Sequence, residues 1–156
     1  MILQNLNLYL ADDDKDDCLL FKDALEELPV SARLTTVHDG EQLMTLLMKE
    51  PSELPHVLFL DLNMPRKNGF ECLSEIKFND TLKKFPVVVF STSFEQDVVN
   101  LLYKKEAHYY IRKPADFNQL KRVIHQALLL AADEKTPQQP AKEHFVLKGD
   151  IELEPS

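Results

Sequence analysis

The sequence predicts an α/β domain with a doubly wound, five-stranded parallel sheet and helices on both faces. Three observations carry that prediction. Five short apolar runs alternate with five segments of helical periodicity, in the order βαβαβαβαβα. Three of the runs, VLFL, VVVF and YYI, are continuously apolar, which is the habit of strands buried on both faces. The chain has 156 residues, 44% of them hydrophobic and 28% charged, which suits one domain able to bury its own core.

Each element has its own signal. The first run, Leu6–Ala11, feeds a helix from about Lys15 to Leu28, with Cys18, Phe21, Leu25 and Leu28 on one stripe. Asp14 can cap that helix, and Asp16 and Asp17 occupy its first turn, where the dipole favours anions. The second run, Arg33–Val37, precedes a helix that begins near Glu41 and ends before Pro51. The third run, His56–Leu60, precedes a helix that begins near Gly69 and carries Phe70, Leu73 and Ile76. The fourth run, Val87–Phe90, leads to a helix over about Glu95–Lys105. The fifth, His108–Ile111, leads to a helix from Asp116 to about Ala132, with Leu120, Val123, Ile124, Ala127 and Leu128 at helical spacing. Right-handed crossovers leave few topologies, among them the flavodoxin-like strand order 2-1-3-4-5.

Composition removes several function classes. With 18 basic and 26 acidic residues the net charge is −8, and no basic patch offsets it, so nucleic acid and anionic membrane are poor partners. Three glycines cannot write a Walker loop or a dinucleotide fingerprint. Cys18 and Cys72 form neither a disulfide framework nor a metal motif and read as core, and the histidines show no ligand spacing. Neither a signal peptide nor a bilayer-length apolar run is visible, so a cytoplasmic location is expected.

Doubly wound sheets bind ligands beyond the C-terminal ends of their strands. Those ends carry Asp12-Asp13-Asp14, Asp61, Ser91-Thr92-Ser93 and Arg112-Lys113-Pro114. Crowded carboxylates repel one another and call for a cation. Mg2+ takes one or two carboxylates and leaves room for phosphate oxygens, and a lysine and a hydroxyl opposite it complete a phosphate clamp. Alone, Asp12 and Asp13 would read as turn or cap residues and Lys113 as a surface lysine; together they read as a site. Thr92 competes with Ser91 for the pocket, and Tyr109 with Tyr110, since strand alternation sends neighbours to opposite faces.

The segments LYLADDD, VLFLDLNMPRKNGFE, VVVFSTS and YYIRKP resemble the motifs of the receiver domain of bacterial two-component response regulators, in order and in spacing, over roughly residues 5 to 132. The resemblance implies that Asp61 is the phosphoacceptor. Asp12 and Asp13 would be the metal-binding acid pair, with Asp13 the direct ligand, and Asn63 would lend its backbone carbonyl to the Mg2+. Ser91 would be the switch hydroxyl, Lys113 the phosphate-pairing lysine and Tyr110 the aromatic that turns inward. Asn63 and Ser93 match the positions that tune dephosphorylation, and the Lys113–Pro114 bond matches one that is often cis. A sensor histidine kinase or a His phosphotransfer protein would donate the phosphoryl group. The response would pass through the face of helix four, strand five and helix five to a downstream protein target, by a signalling protein rather than an enzyme. The alternative is a phosphate-independent interaction module on the same fold.

Residues 1–132 are thus expected to form the receiver and residues 133–156 a Pro-containing acidic tail. That tail is expected to be disordered, to turn as a hairpin about Lys148-Gly149, or to serve a partner or homodimer contact. Leu128, Leu129 and Leu130 make a stripe wider than one core face needs, which suits either a helix end covered by the tail or a partner surface.

Overall fold

The computed structural model describes residues 3–49, 54–132 and 138–149. Its elements run β1 (Leu3–Ala11), α1 (Lys15–Glu26), β2 (Val30–Val37), α2 (Gly40–Lys49), β3 (Val57–Leu60), α3 (Gly69–Phe78), β4 (Val87–Ser91), α4 (Gln96–Lys104), β5 (Tyr109–Arg112), α5 (Phe117–Ala131) and β6 (Val146–Leu147). The sheet order is β2-β1-β3-β4-β5-β6, and every pairing is parallel. The five-stranded, doubly wound core therefore has the expected order.

Alternation along the central strands divides the core in two. Leu8, Leu10, Phe59, Phe90 and Ile111 face α1 and α5, whereas Tyr9, Ala11, Leu58, Leu60 and Val89 face α2, α3 and α4. Strands β3 and β4 are buried at every residue, which is why their runs are continuously apolar. On the first side Phe21 meets Phe59 and Phe90 edge to face, with ring centroids 4.8 and 5.5 Å apart. Cys18 and Cys72 are core residues, and burial pushes both thiols up to about 12.

The sheet has six strands rather than five, because the C-terminal segment folds back onto the chain's own β5. Tyr110 pairs with Val146 and Ile111 with Leu147. An edge strand carries unpaired N–H and C=O groups, and β6 satisfies those of β5. The Tyr110 N–H donates to the Phe145 carbonyl at 3.0 Å, and the Tyr103 hydroxyl donates to the Pro140 carbonyl at 2.7 Å. Phe145 is fully buried and packs edge-on against Tyr103. Residues 138–149 are thus built into the fold, and the outer arm of the expected hairpin lies outside the described residues.

Candidate functional site

Four strand ends and one helix start converge at one rim of the sheet. Backbone pairing carries the strand register into the loops: Asp12 N–H donates to the Val37 carbonyl, Asp61 N–H to the Ala11 carbonyl, and Lys113 N–H to the Ser91 carbonyl, at 3.0, 2.9 and 2.8 Å. Asp12 and Asp61 are buried, Asp13 is exposed, and one carboxylate oxygen from each lies within 4.8 Å of the others. The Lys113 ammonium enters from β5. Its Nζ lies 2.7 Å from Asp12 Oδ2, 2.9 Å from Asp17 Oδ2 and 3.6 Å from Asp61 Oδ2.

Local folding fixes these positions. Asp14 caps α1, accepting from the N–H groups of Asp16 and Asp17 at 2.9 and 3.1 Å. Asp12 Oδ1 accepts from the Asp14 N–H at 2.9 Å, which ties the acid pair to the helix start. After Asp61 the chain turns back, and Asn68 caps α3 in a capping box with Glu71. Gly69 makes that turn possible: a Cβ there would stand 2.2 Å from the Asp61 carbonyl oxygen, inside any real contact distance. The Gly69 N–H instead reaches the Leu62 carbonyl at 2.9 Å.

The electrostatics are those of charge held out of water. Burial raises the Asp61 carboxyl to about 6, and the neighbouring Asp12 charge pushes in the same direction. Burial also raises Asp12, against the pull of Lys113. Burial opposes the Lys113 charge, but its contacts with Asp12 and Asp17 and the charges of Asp12 and Asp61 more than offset this, so its pKa lies above the ordinary lysine value. Asp12 Oδ2 is buried, with the Lys113 ammonium 2.7 Å away. A buried acceptor oxygen beside two more carboxylates fits a hard divalent cation with oxygen ligands.

Ser91 is fully buried at the end of β4, whereas Thr92 is exposed. The Ser91 hydroxyl accepts from the Ser93 N–H at 3.2 Å. Tyr110 belongs to the core on the α4 side and Tyr109 to the core on the α5 side. The Tyr110 ring is wholly buried and its hydroxyl donates to the Ser93 carbonyl; burial raises its pKa. Asn63 is exposed in the loop after β3. The Lys113–Pro114 bond, which the motif suggested as cis, is trans, the form that X–Pro bonds favour by about 0.5–1 kcal/mol.

Two neighbours of the site carry no functional signal in the sequence. Asp17 reads as a helix-start acid, yet it accepts a hydrogen bond from Lys113 across 96 residues of chain. His38 Nδ1 lies 3.0 Å from the Asp12 carbonyl and braces the loop from β2. Neither has a local signal, because both contacts join distant elements.

A five-stranded receiver sheet with this rim defines a class. The family model for the response regulator receiver domain matches residues 8–125, and the chain belongs to that family. Among curated proteins it is similar to the response regulator Rcp1 of Synechocystis sp., with 34% identity over 121 residues, covering 75% of this chain and 82% of that protein. It is also similar to the probable chemotaxis protein CheY of Rhizobium etli, with 26% identity over 123 residues, covering 79% and 92%. Among solved structures, the phosphorylated cyanobacterial phytochrome response regulator RcpA superposes with a TM-score of 0.76 at 33% identity, covering 88% of this chain and 99% of that one. The Mn2+-bound form of Rcp1 gives 0.74 at 31%, covering 87% and 99%.

Proposed function

We propose that this protein is a response regulator that accepts a phosphoryl group on Asp61 in a Mg2+-dependent reaction. The observation that carries the reading is the convergence of three carboxylates within 4.8 Å, with a lysine ammonium against two of them. Asp13 and Asp61 would hold Mg2+, with Asp12 assisting through water and the Asn63 backbone carbonyl completing the set. The bound ion supplies neutralisation of the carboxylates and of the incoming phosphoryl oxygens.

The donor would be a phosphohistidine of a sensor kinase or phosphotransfer protein. An Asp61 carboxylate oxygen attacks phosphorus in line. The O–P bond forms as the N–P bond breaks, and the imidazole nitrogen keeps the electron pair. Such a transfer needs positioning and charge stabilisation more than covalent chemistry. Lys113 pairs with one phosphoryl oxygen, and the Ser91 hydroxyl donates to another. Drawing Ser91 toward Asp61 favours the inward Tyr110 that the structure already holds, so phosphorylation acts as a population shift.

The signal would leave on the side of α4, β5 and α5, where β6 covers the β5 edge and Leu101, Leu129 and Leu130 remain exposed to meet a downstream target or a second copy. The relatives RcpA and Rcp1, one described as a phytochrome response regulator, make a light-sensing histidine kinase one class of donor. Among the described residues no helix is long and apolar enough to cross a membrane, and a cytoplasmic setting fits the free thiols.

The test is incubation with Mg2+ and acetyl phosphate, followed by intact mass measurement. A single phosphate adduct, lost in Asp61→Asn and without Mg2+, is the expected result. No adduct under conditions that label other receivers overturns the reading in favour of a phosphate-independent interaction module.

A further inference from the structure

We infer that Asp17 is a positioning residue of the phosphoacceptor site, holding the Lys113 ammonium in place for a phosphoryl group on Asp61. The inference rests on the phosphoacceptor reading above and adds a residue to it.

Lys113 contacts three carboxylates, and one of them, Asp17, lies outside the expected metal set. The Asp12 contact is 2.7 Å, and the Asp61 contact at 3.6 Å is beyond hydrogen-bond reach. The hydrogen bond to Asp17 Oδ2 is 2.9 Å. An ammonium has three N–H groups at fixed angles to one another. Committing one of them to Asp17 leaves two for Asp12 and Asp61. The third acid thereby sets where the free donors point.

Asp17 is suited to that task by its own anchoring. It stands in the first turn of α1, and its backbone N–H is committed to the Asp14 cap at 3.1 Å. The cap does not need the Asp17 side chain, which is free to reach β5. Lys113 is equally fixed at its backbone, through the Ser91 carbonyl. Between two anchored backbones, the one flexible part is a four-carbon stem with a large rotamer entropy. A hydrogen bond at its tip, with the Phe90 ring 5.4 Å away beneath the charge, removes that freedom before the phosphoryl group arrives.

The position also explains why Asp17 differs from Asp16. Both acids favour the positive end of the helix dipole, but Asp16 is exposed whereas Asp17 is half-buried against Lys113. A dipole role predicts equal effects from either acid, and a positioning role predicts an effect from Asp17 alone.

The experiment is a double-mutant cycle on the full chain, with Asp16→Ala as the control. Phosphorylation by acetyl phosphate would be followed at fixed donor and saturating Mg2+. Asp17→Ala is expected to slow it about tenfold, and Asp17→Asn, which keeps an acceptor oxygen, by a smaller factor. In a Lys113→Ala background the same Asp17→Ala change is expected to alter the rate less than about twofold, because the group it positions is gone. Half-saturating Mg2+ should stay within about twofold, which separates positioning from metal binding. Equal slowing in both backgrounds, slowing by Asp16→Ala to the same degree, or an unchanged rate in Asp17→Ala would each overturn the assignment.

A second measurement needs neither metal nor phosphate. Nitrogen-15 relaxation of the Lys113 ammonium should report a restrained group in the parent protein and a freely rotating one in Asp17→Ala. If the parent takes up no phosphate, the phosphoacceptor reading falls, and this measurement still decides whether Asp17 fixes the lysine. Equal mobility in both proteins overturns it.

Discussion

Replacing Asp61 by Asn should stabilise the protein at neutral pH, and the gain should vanish in acid. Asp61 is 5% exposed and its carboxyl is raised from 3.8 to about 6, by burial first and then by Asp12. Holding a charge there works against the fold. Each pKa unit corresponds to 1.36 kcal/mol, so a shift of about two units costs about 3 kcal/mol at pH 7.5. The sign follows from proton counts. Between pH 4 and 6 the folded state binds more protons at this site than the unfolded state, so stability falls as pH rises through that window. Asn carries no charge and escapes the loss, while its side-chain oxygen can still accept from the Leu62 N–H as Asp61 Oδ1 does at 2.8 Å. Urea unfolding at a series of pH values, without divalent cations, measures the difference directly. The variant should lead by about 3 kcal/mol at pH 7.5, equivalent to roughly 6–12 °C in Tm, and by under about 0.5 kcal/mol near pH 3.5. Mg2+ should then narrow the gap by stabilising the parent alone. A variant that is less stable at pH 7.5, or a gap that does not change with pH, would refute the claim that burial and Asp12 hold this carboxyl high.

Other expectations follow from single contacts. Gly69→Ala places a methyl group 2.2 Å from the Asp61 carbonyl; it should cost more than about 2 kcal/mol in urea unfolding and lower phosphate uptake, because the turn beneath Asp61 must open. Phe145→Ala empties a fully buried site between Tyr103 and Tyr110; a loss of about 3 kcal/mol is expected, and a loss below about 1 kcal/mol would show that the segment 138–149 does not dock as described. Cys18 and Cys72, buried with thiols near 12, should resist iodoacetamide at pH 8 in the folded protein and react within minutes in urea.

Most of the fold was legible because its signals are local. Continuous apolar runs marked β3 and β4, helical stripes marked α1 and α5, and Asp14 caps α1 as its position suggests. The strand ends named the rim residues, since in a parallel sheet whatever follows each strand must meet its neighbours there. The edge behaved differently. The apolar residues before Lys148-Gly149 suit a hairpin arm or an added strand, but Val146 and Leu147 pair with the chain's own β5. Their pairing depends on the open side of β5, which no local pattern announces.

The same division holds at the site. The sequence by itself determined the identity of Asp12, Asp13, Asp61, Ser91 and Lys113 and their places at the ends of strands, because strand periodicity and alternating order are written in nearest neighbours. Only the tertiary structure decided that Asp17 hydrogen-bonds Lys113, that Asp12 Oδ2 is buried against the same ammonium, and that Phe145 lies against Tyr110. Those facts join residues between 35 and 101 positions apart, and the physical reason is burial. The charge, the hydrogen-bond direction and the ring contact acquire their energies only when the packed core excludes water from them.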